Sequence, residues 1–179
     1  MQSIIHFFNK PLLKIPLAFG VLVGVICFIF FLIIQGLGKF SATTRGLDVG
    51  FFIIIIAAAC WYYRKHIGKG YLHMWEGISI GYVVWIAGSL LCGYLTAGYF
   101  ALMPEALTRY QQTLRQSLLI NQADAVKVWG QDIFDQKIAD IMHLTPSSFI
   151  FDEFRFTVLL VVIPILLIAL GFRKQPPTP

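Results

Sequence analysis

The side chains in this sequence that could bind a metal, carry a redox step or move a proton are few and dispersed. His6, His66, His73 and His143 never pair at the spacing of a metal site, and His66 and His73 fall on a short basic stretch. Cys27, Cys60 and Cys92 each lie in a different apolar run and are odd in number, so they read as small packing residues rather than a disulfide framework. Gly36-x-Gly38 and Gly68-x-Gly70 lack the strand-to-helix context of a phosphate loop. No nucleophile with its base, and no pair of catalytic acids, can be assembled. The residues therefore point to a non-enzymatic protein with no cofactor and no metal. Glu76 is the acid with the most distinctive setting. It follows Arg64, Lys65 and Lys69 and opens a long apolar run. It reads either as an interfacial carboxylate paired with one of those bases or as a desolvated ion or proton site, and the ion pair is favoured.

What positions these residues is a membrane. Apolar residues make up 58% of the 179 and charged residues 13%, with a mean hydropathy of +0.74, whereas soluble domains run near ~45–50% and ~25%. The net charge of +5 does not signal nucleic acid, because the bases sit at the ends of apolar runs. The fold class expected is all-α, an integral membrane four-helix bundle. The whole chain, 1–179, forms one membrane domain, with spans at about 15–38, 44–63, 77–103 and 150–172. Ile15 to Gly38 is free of charge and gives about 36 Å of helix. Gly77 to Pro104 is free of charge too and gives about 42 Å, so it must tilt or emerge from the lipid. The second run is shorter, starting near Thr43 or Thr44 with Arg45 and Asp48 paired at the headgroups. Pro164 predicts a kink or break in the fourth. Phe51 to Cys60 is apolar at every position, which excludes the alternation of a barrel strand.

Orientation follows from charge density. Lys10, Lys14, Arg64, Lys65, Lys69, Arg173 and Lys174 crowd the short segments of one side, while Lys39, Arg45, Arg109, Arg115, Lys127, Lys137 and Arg155 are spread along the other. Both termini are expected in the cytoplasm, with the protein multi-pass in the membrane. The first apolar run is too long for a cleavable signal peptide. Residues 1–14 read as an interfacial amphipathic segment or an apolar lead-in, and Gln175–Pro179 as a disordered tail.

Residues 104–146 are the substantial polar stretch and read as an extramembrane helical hairpin between spans three and four. Leu107, Tyr110, Leu114 and Leu118 form one stripe, and Val126, Trp129, Ile133, Ile138 and Ile141 a second. Thr145 is the expected N-cap of the next helix, with Pro146 at its first position. Two such helices cannot make an independent core and must fold on each other, on the span ends or on another chain.

Small residues one turn apart mark close packing in lipid, where apolar contact alone does not favour protein over acyl tails. Gly20 and Gly24 form such a face in span one. In span three, Gly77 and Gly81 form another, and Ser89, Gly93 and Ala97 continue it. Packing inside the bundle is the first reading, an oligomer contact the second.

This order of features resembles a known family. Span one is Gly-rich, and span two ends in Tyr63-Arg64-Lys65. Gly70-Tyr71-Leu72-His73-Met74-Trp75-Glu76-Gly77-Ile78-Ser79-Ile80-Gly81 then leads into span three, whose aromatic exit runs from Tyr99-Phe100 to Met103-Pro104-Glu105. The chain is similar to the small four-span bacterial membrane proteins catalogued as domain of unknown function family 4199. The resemblance covers nearly the whole sequence and is most specific over 68–105. This sequence departs from the pattern at Trp75, where the family has Phe nearby, and at Met103-Pro104, where Asp-Pro is common. The resemblance implies an inner-membrane location and supplies no activity or catalytic residue. The expected function is an accessory or scaffold subunit in the lipid bilayer, binding another membrane protein or a second copy as a homo-oligomer. A small transporter or channel component is the alternative. It needs a polar path, for which the spans offer Gln35, Ser79, Ser89 and Thr96 besides glycines.

The charge argument has a direct check. A cysteine at position 122 in a Cys-free background should react with a membrane-impermeant reagent in intact spheroplasts. Reaction only after lysis reverses the orientation.

Overall fold

Seven helices and the turns between them make up residues 11–37 and 42–174, which the computed structural model describes. Four are long: α1 (Pro11–Gly36), α2 (Ala42–His66), α3 (Met74–Leu102) and α7 (Ser148–Phe172). Three shorter ones, α4 (Pro104–Ile120), α5 (Gln122–Trp129) and α6 (Gln131–Met142), lie between α3 and α7. The lead-in over residues 1–10, the Arg45 side chain of the expected Arg45–Asp48 pair and the tail Gln175–Pro179 lie outside the described residues.

Local chemistry sets the ends. Pro11 opens α1 at a position whose N–H would have no partner in any case. α2 closes on Arg64, Lys65 and His66, cations beside the negative end of the helix dipole. The chain then turns sharply: Ile67 and Gly68 donate their N–H groups to the Tyr63 carbonyl, and Gly70 donates to Arg64. Gly70 has φ +91°, and a Cβ on Gly68 would collide with the Tyr71 carbonyl oxygen. The Gly68-x-Gly70 pair is thus turn chemistry. α7 starts at Ser148, after a turn in which Ser148 N–H donates to the Thr145 carbonyl and Thr145 N–H donates to Ser148 Oγ. The Thr145 hydroxyl pairs with those of Ser147 and Ser148 instead of capping a backbone N–H. The expected start at Pro146 is displaced because the N–H groups of Ser148, Phe149 and Ile150 bond the carbonyls three residues back, at Thr145, Pro146 and Ser147, a tighter turn than the α-helix. α7 runs on through Pro164, and α1 through Pro16.

α3 is the axis. α1 and α7 pack along it most extensively, and α2 touches α1, α3 and α7. The contacts are backbone-close. A Cβ on Gly20 would lie 2.7 Å from the Ala87 Cβ, and one on Gly24 would lie 2.8 Å from the Gly88 carbonyl oxygen. On the α7 side, a Cβ on Gly77 would sit 3.1 Å from Ala169 Cα, on Gly81 2.7 Å from Ile165 Cγ2, and on Gly93 2.9 Å from Ile150 Cα. Ser89 and Ala97 are buried on the same four-residue row as Gly77, Gly81 and Gly93. Val23, Cys27, Phe52, Ile56, Ile80, Val84, Trp85, Val161 and Ile165 fill the centre.

The outward faces are as apolar as the centre. Val21, Val25, Ile29 and Ile33 on α1, Ile86, Leu90 and Tyr94 on α3, and Ile163, Leu167 and Leu170 on α7 are all exposed. Among the described residues, α1 and α3 are long and apolar enough to cross a membrane, and Leu160–Phe172 is a shorter apolar stretch. A helix apolar all round belongs in a large core or in lipid.

The close approaches have a test with an internal control. Gly24→Ala drives a methyl into the Gly88 carbonyl, so it should lose about 1–3 kcal/mol to overpacking. Gly98 on α3 faces open space, so Gly98→Ala should gain about 0.5–1 kcal/mol through lower chain entropy. Unfolding of both in detergent compares them directly.

Candidate functional site

The polar groups gather at the two ends of the long helices. At one end meet the C-terminus of α2, the N-terminus of α3 and the C-terminus of α7. A short antiparallel bridge ties them together: Leu72 N–H donates to the Lys174 carbonyl and Lys174 N–H to the Leu72 carbonyl, each at 3.0 Å. Leu72 itself is fully buried beneath this clasp. Arg64 Nη1 donates to the Phe172 carbonyl at 3.4 Å, and its guanidinium lies 5.6 Å from the centre of the Phe172 ring. A cation thereby satisfies an orphan carbonyl at the end of α7. Lys65 Nζ sits 4.8 Å over the Trp61 ring.

Glu76 has a different partner from the one expected. Its Oε2 accepts the His73 N–H at 2.9 Å, at the third position of α3. Arg64 and Lys65 are occupied by Phe172 and Trp61, and the expected ion pair with Arg64, Lys65 or Lys69 is not formed. The reason is local. A carboxylate three residues into a helix reaches back to the cap N–H at little entropic cost, whereas a long lysine must be frozen to meet it. The signal is present in the sequence: an acid three residues after His73, just before an apolar run.

At the other end, aromatic rings join the polar segment to the long helices. Phe100 of α3, Tyr110 of α4 and Phe149 of α7 are buried together. Their ring centroids lie 5.3 Å apart for Phe100–Tyr110, 4.7 Å for Phe100–Phe149 and 5.4 Å for Tyr110–Phe149. Phe31 of α1 packs edge-on against Phe100. Two amides brace this junction, Gln35 Nε2 donating to the Ala106 carbonyl and Gln111 Nε2 to the Leu144 carbonyl.

Beyond the junction, the hairpin expected as two helices is three. Gly130, at φ +86°, ends α5 and opens α6. The break shifts the phase of the second stripe, so Phe134 is buried with Ile141 while Ile133 faces outward. The first stripe keeps its phase: Tyr110 is buried, Leu107, Leu114 and Leu118 are half-buried, and Arg109, Gln112, Arg115 and Gln116 lie toward the outer side. Among the described residues, α5 and α6 pack chiefly on each other and on α4 and make no extensive contact with the long helices. They expose Val128, Trp129 and Ile133, with Lys137 Nζ 5.1 Å over the Trp129 ring.

Metal chemistry has no assembled ligand set, since no three His, Cys, Asp or Glu come together among the described residues. Cys27, Cys60 and Cys92 are buried and form no disulfide with one another, and Cys60 Sγ approaches the Gly77 carbonyl at 3.9 Å. Gly88 does not stand out by its spacing, yet a Cβ there would meet Val23 Cγ1 at 2.5 Å and Phe52 Cε1 at 2.8 Å.

A family model described as Protein of unknown function (DUF4199) matches residues 18–174. The chain belongs to that family. The DUF4199 match runs from α1 to the residue that closes the clasp, so both ends of the helix assembly lie inside the family's boundaries. No curated protein and no solved structure matches the chain.

The cap and the clasp separate by substitution. Glu76→Gln keeps an acceptor for the His73 N–H and should cost only the charge–dipole attraction, about 0.3–1 kcal/mol. Glu76→Ala also abandons the N–H and should cost more. Arg64→Met leaves the Phe172 carbonyl unsatisfied and should destabilise by about 1–2 kcal/mol. Unfolding midpoints in detergent give the order, and equal midpoints for Glu76→Gln and Glu76→Ala would remove the cap from the account.

Proposed function

We propose that this protein is a non-enzymatic scaffold or accessory subunit of the bacterial inner membrane. In this reading α1, α2, α3 and α7 cross the bilayer as a four-helix bundle. Both termini and the basic end are cytoplasmic, and α4–α6 stand on the opposite side as a docking element for another membrane protein. One observation carries the reading: among the described residues α5 and α6 pack chiefly on each other and on α4, yet they expose Val128, Trp129 and Ile133. An apolar surface held away from its own protein is the ordinary mark of an interaction site. The apolar outward faces of α1, α3 and α7 support the membrane setting. The low polarity of the centre supports a structural role, since its buried polar side chains among the described residues are Ser89 and Thr96, both on α3.

The test is purification of the tagged full-length protein in mild detergent. A stoichiometric partner, or a defined oligomer, should accompany the wild type. It should be lost from the Val128→Asp/Ile133→Asp double variant, whose unfolding midpoint should stay close to the wild-type value because both side chains are exposed. A monomer that moves solutes in liposomes would replace this reading with a transporter or channel.

A further inference from the structure

We propose that the groove between His73, Met74, Trp75, Ile78 and Arg173 binds the headgroup and upper acyl chain of an anionic phospholipid. The groove is a shallow, open one of about 350 Å³ where α3 begins beside the end of α7. Three of its residues, Met74, Trp75 and Ile78, offer apolar surface, and Trp75 is 58% exposed. Below Trp75 the same helix continues outward through the exposed Ile86, Leu90 and Tyr94, a track along which a hydrocarbon chain can lie.

The charge at its mouth is positive and unspent. Among the described residues, Arg64 is held by the Phe172 carbonyl, Lys65 covers Trp61, and Glu76, the nearby acid, is engaged by the His73 N–H. The exposed Arg173 guanidinium has no hydrogen-bond or ion-pair partner among them. Its backbone is nevertheless fixed, because the bridge between Leu72 and Lys174 pins the residues on either side of the contact. Lys69 and Lys174 are exposed as well, but neither lines the groove, which leaves Arg173 as its cation.

The two halves select one class of ligand. A soluble anion has no use for Met74, Trp75 and Ile78, and a zwitterionic lipid brings no net charge to Arg173. A phospholipid of net negative charge satisfies both, with its phosphate at the planar fork of Arg173 and its chain against the tryptophan. The inference rests on α3 crossing the bilayer. Failure of that reading would show separately, as protein recovered outside the membrane fraction.

The experiment uses the full-length protein, delipidated in a neutral detergent and titrated with phosphatidylglycerol or phosphatidylcholine, with bound lipid counted by native mass spectrometry. One cation at the surface favours an anionic headgroup by about five-fold. Phosphatidylglycerol should therefore bind about five-fold more tightly than phosphatidylcholine. Arg173→Gln should abolish the preference, Arg115→Gln on the polar segment should preserve it, and Trp75→Ala should weaken both lipids. For wild type alone, raising salt should erode the preference while leaving phosphatidylcholine binding unchanged, a readout independent of how any variant folds. Equal binding of the two lipids, a preference that survives Arg173→Gln, or displacement of the lipid by millimolar inorganic phosphate would each overturn the proposal.

Discussion

Backbone-close contact along α3 is the constraint on which the rest of the structure depends. Gly20 and Gly24 of α1 bring it against Ala87 and Gly88, and Gly77, Gly81 and Gly93 bring α3 against α7. At these distances the attraction is dispersion between well-matched surfaces, and it falls away steeply when a gap of even half an ångström opens. Where the surroundings are as apolar as the protein, no solvent term replaces it. The side chains that fill the centre, from Val23 and Phe52 to Ile165, are matched to this spacing and would not interdigitate at a wider one.

Both ends of the assembly solve the same problem, that helix termini expose backbone groups without partners. The basic end uses a cation on the Phe172 carbonyl, a carboxylate on the His73 N–H and a two-residue bridge. The opposite end uses bulk: Phe100, Tyr110 and Phe149 bury one another, while Gln35 and Gln111 reach the carbonyls of Ala106 and Leu144. The polar segment is therefore seated on the long helices at its root, while α5 and α6 at its tip pack chiefly on each other and on α4.

Long features are legible in the sequence because they are properties of composition summed over many residues. The all-helical character and the apolar runs occupied by α1 and α3 are of this kind. The glycines carry information too, since a missing side chain every fourth residue has few explanations in an apolar helix. Gly88 is silent because its partners, Val23 and Phe52, come from two other helices, and no spacing within α3 reveals them. Phase is lost at Gly130: periodicity assumes an unbroken helix, and one residue with positive φ turns Ile133 outward and Phe134 inward. The ion pair expected of Glu76 gives way to a cap, because distance along the chain ranks the bases correctly while ignoring the nearer claim of the backbone. The clasp between Leu72 and Lys174 joins positions with no shared pattern at all.

The clasp also imposes an order on biogenesis. It needs Lys174, so it cannot close until synthesis of the described chain is essentially complete. The α7-facing glycines of α3 must wait as well, for the ribosome first makes residues 104–147, which takes about 2–9 s at ~5–20 residues per second. During that interval α1 and α2 can already settle against α3, since all three precede that stretch. One flank of the nascent protein thus matures early. The other is held open, with Gly77, Gly81 and Gly93 bare, as a waiting surface that a chaperone or a neighbouring nascent helix could occupy before the chain's own last helix arrives.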